Sequence, residues 1–324
     1  FNFSAPGAIP MPRVDSTEEK GQSTEGQIDG VQIDGLALLK IIKHCDENKG
    51  ESVNGQLLGL HVDSKLEVTN SFPGLPAEEK ADHEAFLDVM MKLLKQVNVD
   101  NNSVGWYQSA FIGEWIDNDI IRTHYNFQSK IPESVVLIYD PYTTTKGNLA
   151  VKTYRLTQKF MRFYKSKDFS HVNFAKHRID SSDIFEEIPM KVHNSHLIHA
   201  FLYELQCKDK FSCTFDRLEL TGDMLFKRNL DIMSNSIDEL LQDQSKFSFY
   251  QRQRVRAQAQ RNRDKTDADE GSKKNLPYLG RMDAYLTAQK ITHYSKKVRT
   301  MVGQSMTKMF EVDALNRVHQ SNES

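Results

Sequence analysis

The chain has 324 residues, and its 42 basic and 44 acidic side chains give a formal charge of −2. This near-neutral balance excludes a globally basic nucleic-acid binder, and 39% hydrophobic residues exclude a wholly disordered chain. The longest apolar run, residues 135–139, is far shorter than the roughly 20 residues that cross a bilayer, so we expect no membrane contact. Three cysteines are too few for a disulfide scaffold and indicate reduced thiols, as in the cytoplasm or nucleus.

Glycine and proline divide the chain into two halves. Residues 1–147 hold 19 of the 25 Gly and Pro residues, and residues 190–276 hold no proline. Because these residues make turns and interrupt helices, the first half should be rich in turns and the second half mainly helical. Residues 1–29 have almost no apolar pattern and are interpreted as a disordered leader.

Strands and helices mix in residues 30–166, which we interpret as one α/β (α+β) domain with a mixed sheet flanked by helices. Asp34 could cap a helix whose apolar face is Leu38, Ile41, Ile42 and Cys45. Residues 117–127 and the apolar positions of 86–97 predict two more helices. Strands are predicted over residues 56–62, 66–72, 104–111, 135–139 and 149–156.

The remainder should extend this domain and then form long helices. Residues 167–210 are predicted to hold one strand at 185–192 and a helix from about 195 to 206. A long helix follows within 211–263, then a charged linker at 264–279, then a helix and tail over 280–324. The first long helix has apolar residues at heptad spacing, and the last helix, from about Met282, has a similar stripe.

Two arrangements explain these stripes. The helices could fold on each other as a hairpin within the chain, or each could bind apolar surfaces of other chains. We favour the second arrangement. The residues predicted to face partners are Leu230, Met233, Ile237, Leu240, Val298, Met301, Val302 and Met309.

The segment VGWYQSAFIGEWIDNDI, residues 104–120, resembles the MPN domain, the fold of the JAMM zinc isopeptidases. QIDGLALLKIIKH, GQLLGL, LEVTNSFPGLP, ESVVLIYDP and YRLT occur in the order typical of that family, up to about residue 166. Farther on, FEEIPMKVHNSHLI and RMDAYLTAQKITHY are similar to one branch of it, the MPN proteins of the eukaryotic translation initiation factor 3 complex that lack the JAMM zinc motif.

The resemblance also shows which zinc positions have changed. An active JAMM site has two His one residue apart, then a Ser and an Asp, with a Glu on an upstream strand, and these groups hold zinc and activate its water. Here the positions are Gln108 and Ala110, Asn118 and Ile121, and Ser52. Alanine and isoleucine offer no lone pair, and an amide oxygen is a poor zinc ligand. We therefore expect no enzyme activity, no metal and no cofactor.

Neighbouring residues do not restore the site. Glu51 is one residue from the required Glu, and on a strand that offset points to the opposite face. His124 is sixteen residues beyond Gln108 and predicted to be helical, so no adjacent His pair exists.

A basic run, QRQRVRAQAQRNRDK, lies near the end of the first long helix. Its arginines could bind phosphate through their planar guanidinium groups, but no aromatic residues alternate with them. A solvated helix end is the favoured interpretation, and backbone-directed RNA contact is the alternative. The residues concerned are Arg252, Arg254, Arg256, Arg261 and Arg263.

The resemblance implies a cytoplasmic, non-catalytic scaffold subunit of the initiation factor complex, which joins the small ribosomal subunit and promotes recruitment of mRNA and initiator tRNA. It also implies a heterodimer with a second MPN subunit, a C-terminal helical bundle shared with other subunits, and only indirect contact with mRNA. Leu38, Ile41 and Ile42 should serve the core or the MPN pairing. The alternatives are a silent MPN subunit of a proteasome-lid or signalosome-type complex, a zinc-dependent isopeptidase, and a regulatory RNA binder.

Overall fold

The computed structural model of the chain describes residues 28–48, 50–74, 83–110, 112–144, 149–208, 223–263 and 280–323. The predicted leader up to residue 27, the linker at 264–279 and the first part of the predicted long helix, 211–222, lie outside the described residues. Ile28 and Asp29, which the prediction assigned to the leader, belong to the domain. Ile28 is buried in the core, and the Asp29 amide donates to the Ser64 carbonyl oxygen at 2.9 Å.

Eight strands within the described residues form one mixed sheet, which confirms the predicted fold class. β1 was not predicted, and it lies parallel to both β3 and β8. β4 and β5 are also parallel, while the other neighbouring pairs are antiparallel. The strands are β1 (Gly30–Asp34), β2 (Asn54–Val62), β3 (Lys65–Pro73), β4 (Ser103–Ser109), β5 (Val135–Tyr139), β6 (Val151–Leu156), β7 (Phe185–Ile188) and β8 (Met190–His193), in the spatial order β7-β6-β5-β4-β2-β3-β1-β8.

The predicted single strand at 185–192 is wrong, because two strands occupy this stretch. β7 and β8 lie at the two ends of the strand order, yet only Pro189 separates them in the chain. The sheet must therefore curve until its edges meet. Pro189 lacks the amide hydrogen that would continue one ladder, and its carbonyl oxygen accepts from the Val31 amide at 2.9 Å.

Helices cover both faces of this curved sheet. On β5, Val135, Leu137 and Tyr139 join one apolar cluster while Val136 and Ile138 join the other, which explains why this strand is continuously apolar. The shorter helices are α1 (Gly35–Glu47), α2 (His83–Gln96), α3 (Asn118–Lys130), α4 (Pro141–Thr144), α5 (Gln158–Lys165), α6 (His171–His177) and α7 (His196–Lys208).

The sequence left open whether the apolar residues of helix α1 serve the core or the pairing with a second MPN subunit. Leu38 and Ile41 are buried in the domain's own core, and Ile42 packs against the same cluster. These three residues therefore serve the core. Leu36 and Leu39, on the other side of α1, are 59% and 63% exposed.

The two long helices pack against each other. They are α8 (Asp223–Arg263) and α9 (Met282–Glu323), and they run antiparallel, since Asn229 contacts Met301 while Gln244 lies near Arg281. The favoured arrangement, in which each helix is separate and waits for another chain, is therefore wrong for the chain by itself. Two helices of one chain can pack without the loss of translational and rotational freedom that association between separate chains requires. None of the helices that the structure describes is long and apolar enough to span a membrane.

Candidate functional site

The positions that the MPN resemblance assigns to a zinc ligand and to the general base lie next to each other where β4 ends. Gln108 is near the end of β4, paired with Asn54 of β2, and Ser52 precedes β2 by two residues. The Gln108 side-chain amide donates to the Ser52 hydroxyl at 3.1 Å. In an active JAMM site, one of these positions would bind the metal and the other would activate its water. In this chain, the two side chains are hydrogen-bonded to each other.

A cleft of about 190 Å³ lies beside this pair. Glu51 and Ser52 both line it, and neither is on a strand, so the prediction that a one-residue offset turns Glu51 to the opposite face is wrong. The Ser109 hydroxyl fixes this segment: it donates to the Glu51 carbonyl oxygen at 3.2 Å and accepts from the Val53 amide at 2.9 Å. Cys45 also lines the cleft, but burial, with a smaller contribution from Asp46, raises the pKa of its thiol to about 12, so the thiol stays protonated at neutral pH.

The other three positions that the resemblance assigns to the zinc site have structural contacts: two are buried in the core, and one bonds to α9. Ala110 and Ile121 are buried in the core cluster, and Ile121 has no exposed surface. Asn118 is the first residue of α3, which begins there because the Asp117 carboxylate caps it, and the Asn118 side-chain amide donates to Asp283 of α9 at 2.5 Å. The structure thus brings Ser52 and Gln108 together, and Ala110 lines the same cleft as Ser52, while Asn118 bonds to α9 and Ile121 packs in the core.

No group of three or more His, Cys, Asp or Glu side chains able to hold a metal occurs in the part of the chain that the structure describes. His124, which lies on α3 as predicted, is fully buried and accepts from the Trp106 indole nitrogen at 3.3 Å. Burial, assisted by the nearby Arg155, lowers its pKa to about 3. This histidine is a neutral core residue.

Helix α9 lies across the same end of the sheet. The Lys297 ammonium donates to the Asp140 carboxylate, just after β5, at 2.9 Å, and both side chains are largely buried. Gly113, in the loop after β4, has a φ of +80°, and a Cβ there would lie 2.8 Å from the Lys297 nitrogen. The loop, the end of β5 and α9 therefore form one packed unit.

Aromatic rings complete this contact. The Trp115 ring stacks on the Tyr154 ring with 4.4 Å between the ring centroids. It also packs edge-to-face with His293 of α9, with 6.0 Å between the centroids. Tyr285 of α9 stacks on Phe174 of α6 at 4.0 Å. Sequence reasoning missed all of these α9 contacts, because a Lys or His on an amphipathic helix carries no signal of what lies opposite it.

The residues predicted to face partners lie along the α8–α9 hairpin. Ile237, Val302 and Met309 are 37%, 41% and 56% exposed. The other five are half-buried: Leu230, Met233, Leu240, Val298 and Met301. Among the predicted RNA contacts, Arg252, Arg254 and Arg256 are exposed on α8, while the side chains of Arg261 and Arg263 lie outside the described residues.

Two family models match the chain. Residues 27–133 match "JAB1/Mov34/MPN/PAD-1 ubiquitin protease", and residues 144–273 match "C-terminal region of eIF3h". The first model covers β1 to β4, the second covers β6 to β8 and α8, and β5 lies between the two matched ranges.

Similar proteins match over nearly the whole length. The H subunit of eukaryotic translation initiation factor 3 from Nematostella vectensis is 37% identical, over 90% of this chain and 96% of its own. The proteins of the same name from Dictyostelium discoideum and Arabidopsis thaliana are each 36% identical over 88% of this chain, and over 94% and 92% of their own lengths. The match therefore includes the MPN-like sheet and the long helices together. This chain belongs to the H-subunit family of eukaryotic translation initiation factor 3.

Proposed function

We propose that this protein is a non-catalytic scaffold subunit of the translation initiation factor 3 complex, acting in the cytoplasm. In this role it supports assembly of the complex on the small ribosomal subunit, which promotes recruitment of mRNA and initiator tRNA. The observation that carries the proposal is the apolar rim of the α8–α9 hairpin, where Ile237, Val302 and Met309 remain 37–56% exposed. Such a rim is suited to the apolar face of a helix from a neighbouring subunit.

The changed zinc positions support the non-catalytic part of this role. Gln108 and Ser52 bond to each other, Ala110 and Ile121 are buried, and Asn118 binds α9. A hydrolytic zinc site needs three protein ligands and an open position for water. Stoichiometric zinc in the purified protein, together with cleavage of ubiquitin-like chains, would contradict this part.

We also propose a heterodimer with a second MPN subunit. Leu36 and Leu39 on α1 are suited to it, since they are well exposed on a helix whose other face is buried in the core. Contact with mRNA is then indirect, through the assembled complex.

Replacement of Ile237 by Asp tests the scaffold role. Burying the Asp carboxylate against an apolar partner helix would cost free energy, because the charge would lose its water without gaining a partner. The variant should therefore be lost from the complex. Asn235→Asp is the matched control, because it adds the same charge at an exposed polar position of α8. Each variant would be tagged, expressed in cells and recovered, and the mass and subunit composition of the recovered assembly measured. Recovery of Ile237→Asp with the full complex would contradict the proposal.

A further inference from the structure

The contact between α8 and α9 has a polar seam. Over the described side chains of α8, residues 224–256, only Asn229 and Ser236 are fully buried. They are seven residues apart and so lie on one face of the helix. The apolar side chains of α8, among them Leu230, Met233 and Ile237, all stay partly exposed. A hairpin made to stay closed normally places its apolar residues in the seam.

The seam also leaves a hydrogen-bond acceptor without a donor. The Asn229 side-chain nitrogen donates to the Leu225 carbonyl oxygen at 2.6 Å and touches the Met301 sulfur at 3.7 Å. Its Oδ1 has no partner, although Asn229 is completely buried. A buried acceptor without a donor destabilises the closed state relative to any state in which the acceptor is bonded.

The two helices differ in how firmly they are held. α9 is anchored on the domain by Met282 and Leu286, which are buried in the core cluster, and by the Lys297–Asp140 ion pair. α8 meets the rest of the chain at its other end, where Phe247 lies under the Arg281 guanidinium at 4.1 Å and against the His171 ring. The end of the hairpin that contains Asn229 and Met301 is therefore the one that can open.

We propose that α8 and α9 separate at this end when the protein joins its complex. An amphipathic helix of a partner subunit, with a side-chain donor facing Asn229 Oδ1, inserts between them and covers the apolar residues beside the seam. This inference rests on the proposed function and adds that the hairpin is a closed form of the subunit. A partner that only docked on the outside of the hairpin would leave the Asn229 acceptor unbonded.

A covalent lock across the seam tests this inference. Asn229→Cys and Met301→Cys would be combined in a background with Cys207 and Cys213 replaced by Ser, and joined with dibromobimane. The matched control joins Asn118→Cys to Asp283→Cys, which locks α9 to the domain and leaves the seam free. Each full-length chain, with and without crosslinker, is added to a cell extract depleted of its endogenous counterpart. The fraction that co-sediments with the factor 3 complex is then measured.

We expect the chain locked at the seam to incorporate at least tenfold less than the same chain without crosslinker, and the control lock to have no effect. Equal incorporation with the seam locked would overturn the inference and leave the scaffold function standing, since partners would then dock on the closed hairpin. If the chain without any substitution stays free of the complex while the endogenous protein re-enters it, the proposed function fails, and the inference with it.

Discussion

The two halves of α9 carry similar apolar stripes but have different surroundings. In the first half, Met282, Leu286 and Tyr294 are buried against the domain. In the second half, Met306, Met309 and Phe310 are 49–66% exposed. The same helical pattern therefore leads to a core contact in one half and an open surface in the other. An apolar stripe therefore predicts only that a helix face will be covered, while the position of the helix decides whether its own chain or another one covers it.

The largest expected effect would come from truncating a buried residue of the first half. Leu286→Ala should lower the free energy of unfolding by about 3 kcal/mol, because it leaves a cavity in the core cluster. Met306→Ala, in the exposed second half, should change it by no more than about 0.5 kcal/mol. Urea unfolding followed by circular dichroism measures both. Equal effects would mean that the two halves do not differ energetically.

The buried ion pair gives the next largest effect. Lys297→Ala should destabilise by about 2 kcal/mol, since it leaves Asp140 buried with only its bonds from Thr143. The exposed pair of Lys152 and Glu187 is the control, and Lys152→Ala should cost less than about 1 kcal/mol. The same unfolding measurement distinguishes them. A negligible effect of Lys297→Ala would show that this contact does not anchor α9.

The buried His124 should make the stability of the domain depend on pH. Its pKa is about 3 in the folded protein, below the 6.5 of an unfolded chain, so between these values only the unfolded state binds the proton. Stability should therefore fall as pH decreases from 6.5 towards 3, by about 1 kcal/mol for each pH unit well below 6.5. His124→Gln should flatten this part of the profile, measured by urea unfolding at pH 7, 6, 5 and 4. An unchanged slope in the variant would assign the dependence to other groups.

The smallest effect on stability is expected for the exposed arginines at the far end of α8. Replacing Arg252, Arg254 and Arg256 by Gln should leave the unfolding free energy unchanged within about 0.5 kcal/mol. If these residues bind RNA backbone, the affinity should fall and the salt dependence of binding should weaken with it. Fluorescence anisotropy with a labelled single-stranded RNA at two salt concentrations measures both. Unchanged affinity would assign this helix end to solvent.

Much of the sheet could be predicted from local patterns. The apolar run of β5 and the alternation of β3 depend on side-chain periodicity, which is local in the sequence, and both strands lie where they were expected. β1 and the break at Pro189 were missed. Both depend on the pairing of β1 with β8, which joins residues more than 100 positions apart in the chain.

Some features of the candidate site could likewise be predicted from the sequence, and others could not. The residue types at the positions that the resemblance assigns to zinc can be read directly from the sequence, because the side chains of Ala110 and Ile121 have no lone pair and folding cannot supply one. The bond between Gln108 and Ser52, the shared cleft of Ser52 and Glu51, and the Lys297–Asp140 pair required coordinates. These contacts join segments that are distant in the chain, and nothing local to either segment marks the partner.

By itself, the sequence determined the mixed α/β class, the two long helices and the family resemblance, because each depends on residue type and short-range periodicity. Only the tertiary structure decided that the sheet curves until β7 and β8 meet, that α9 packs on the end of β5 and on the loop after β4, and that α8 presents Asn229 to the seam. The physical reason is that an amphipathic segment gains about the same free energy from any apolar surface of the right shape. Chain connectivity and packing geometry select which of those surfaces it meets.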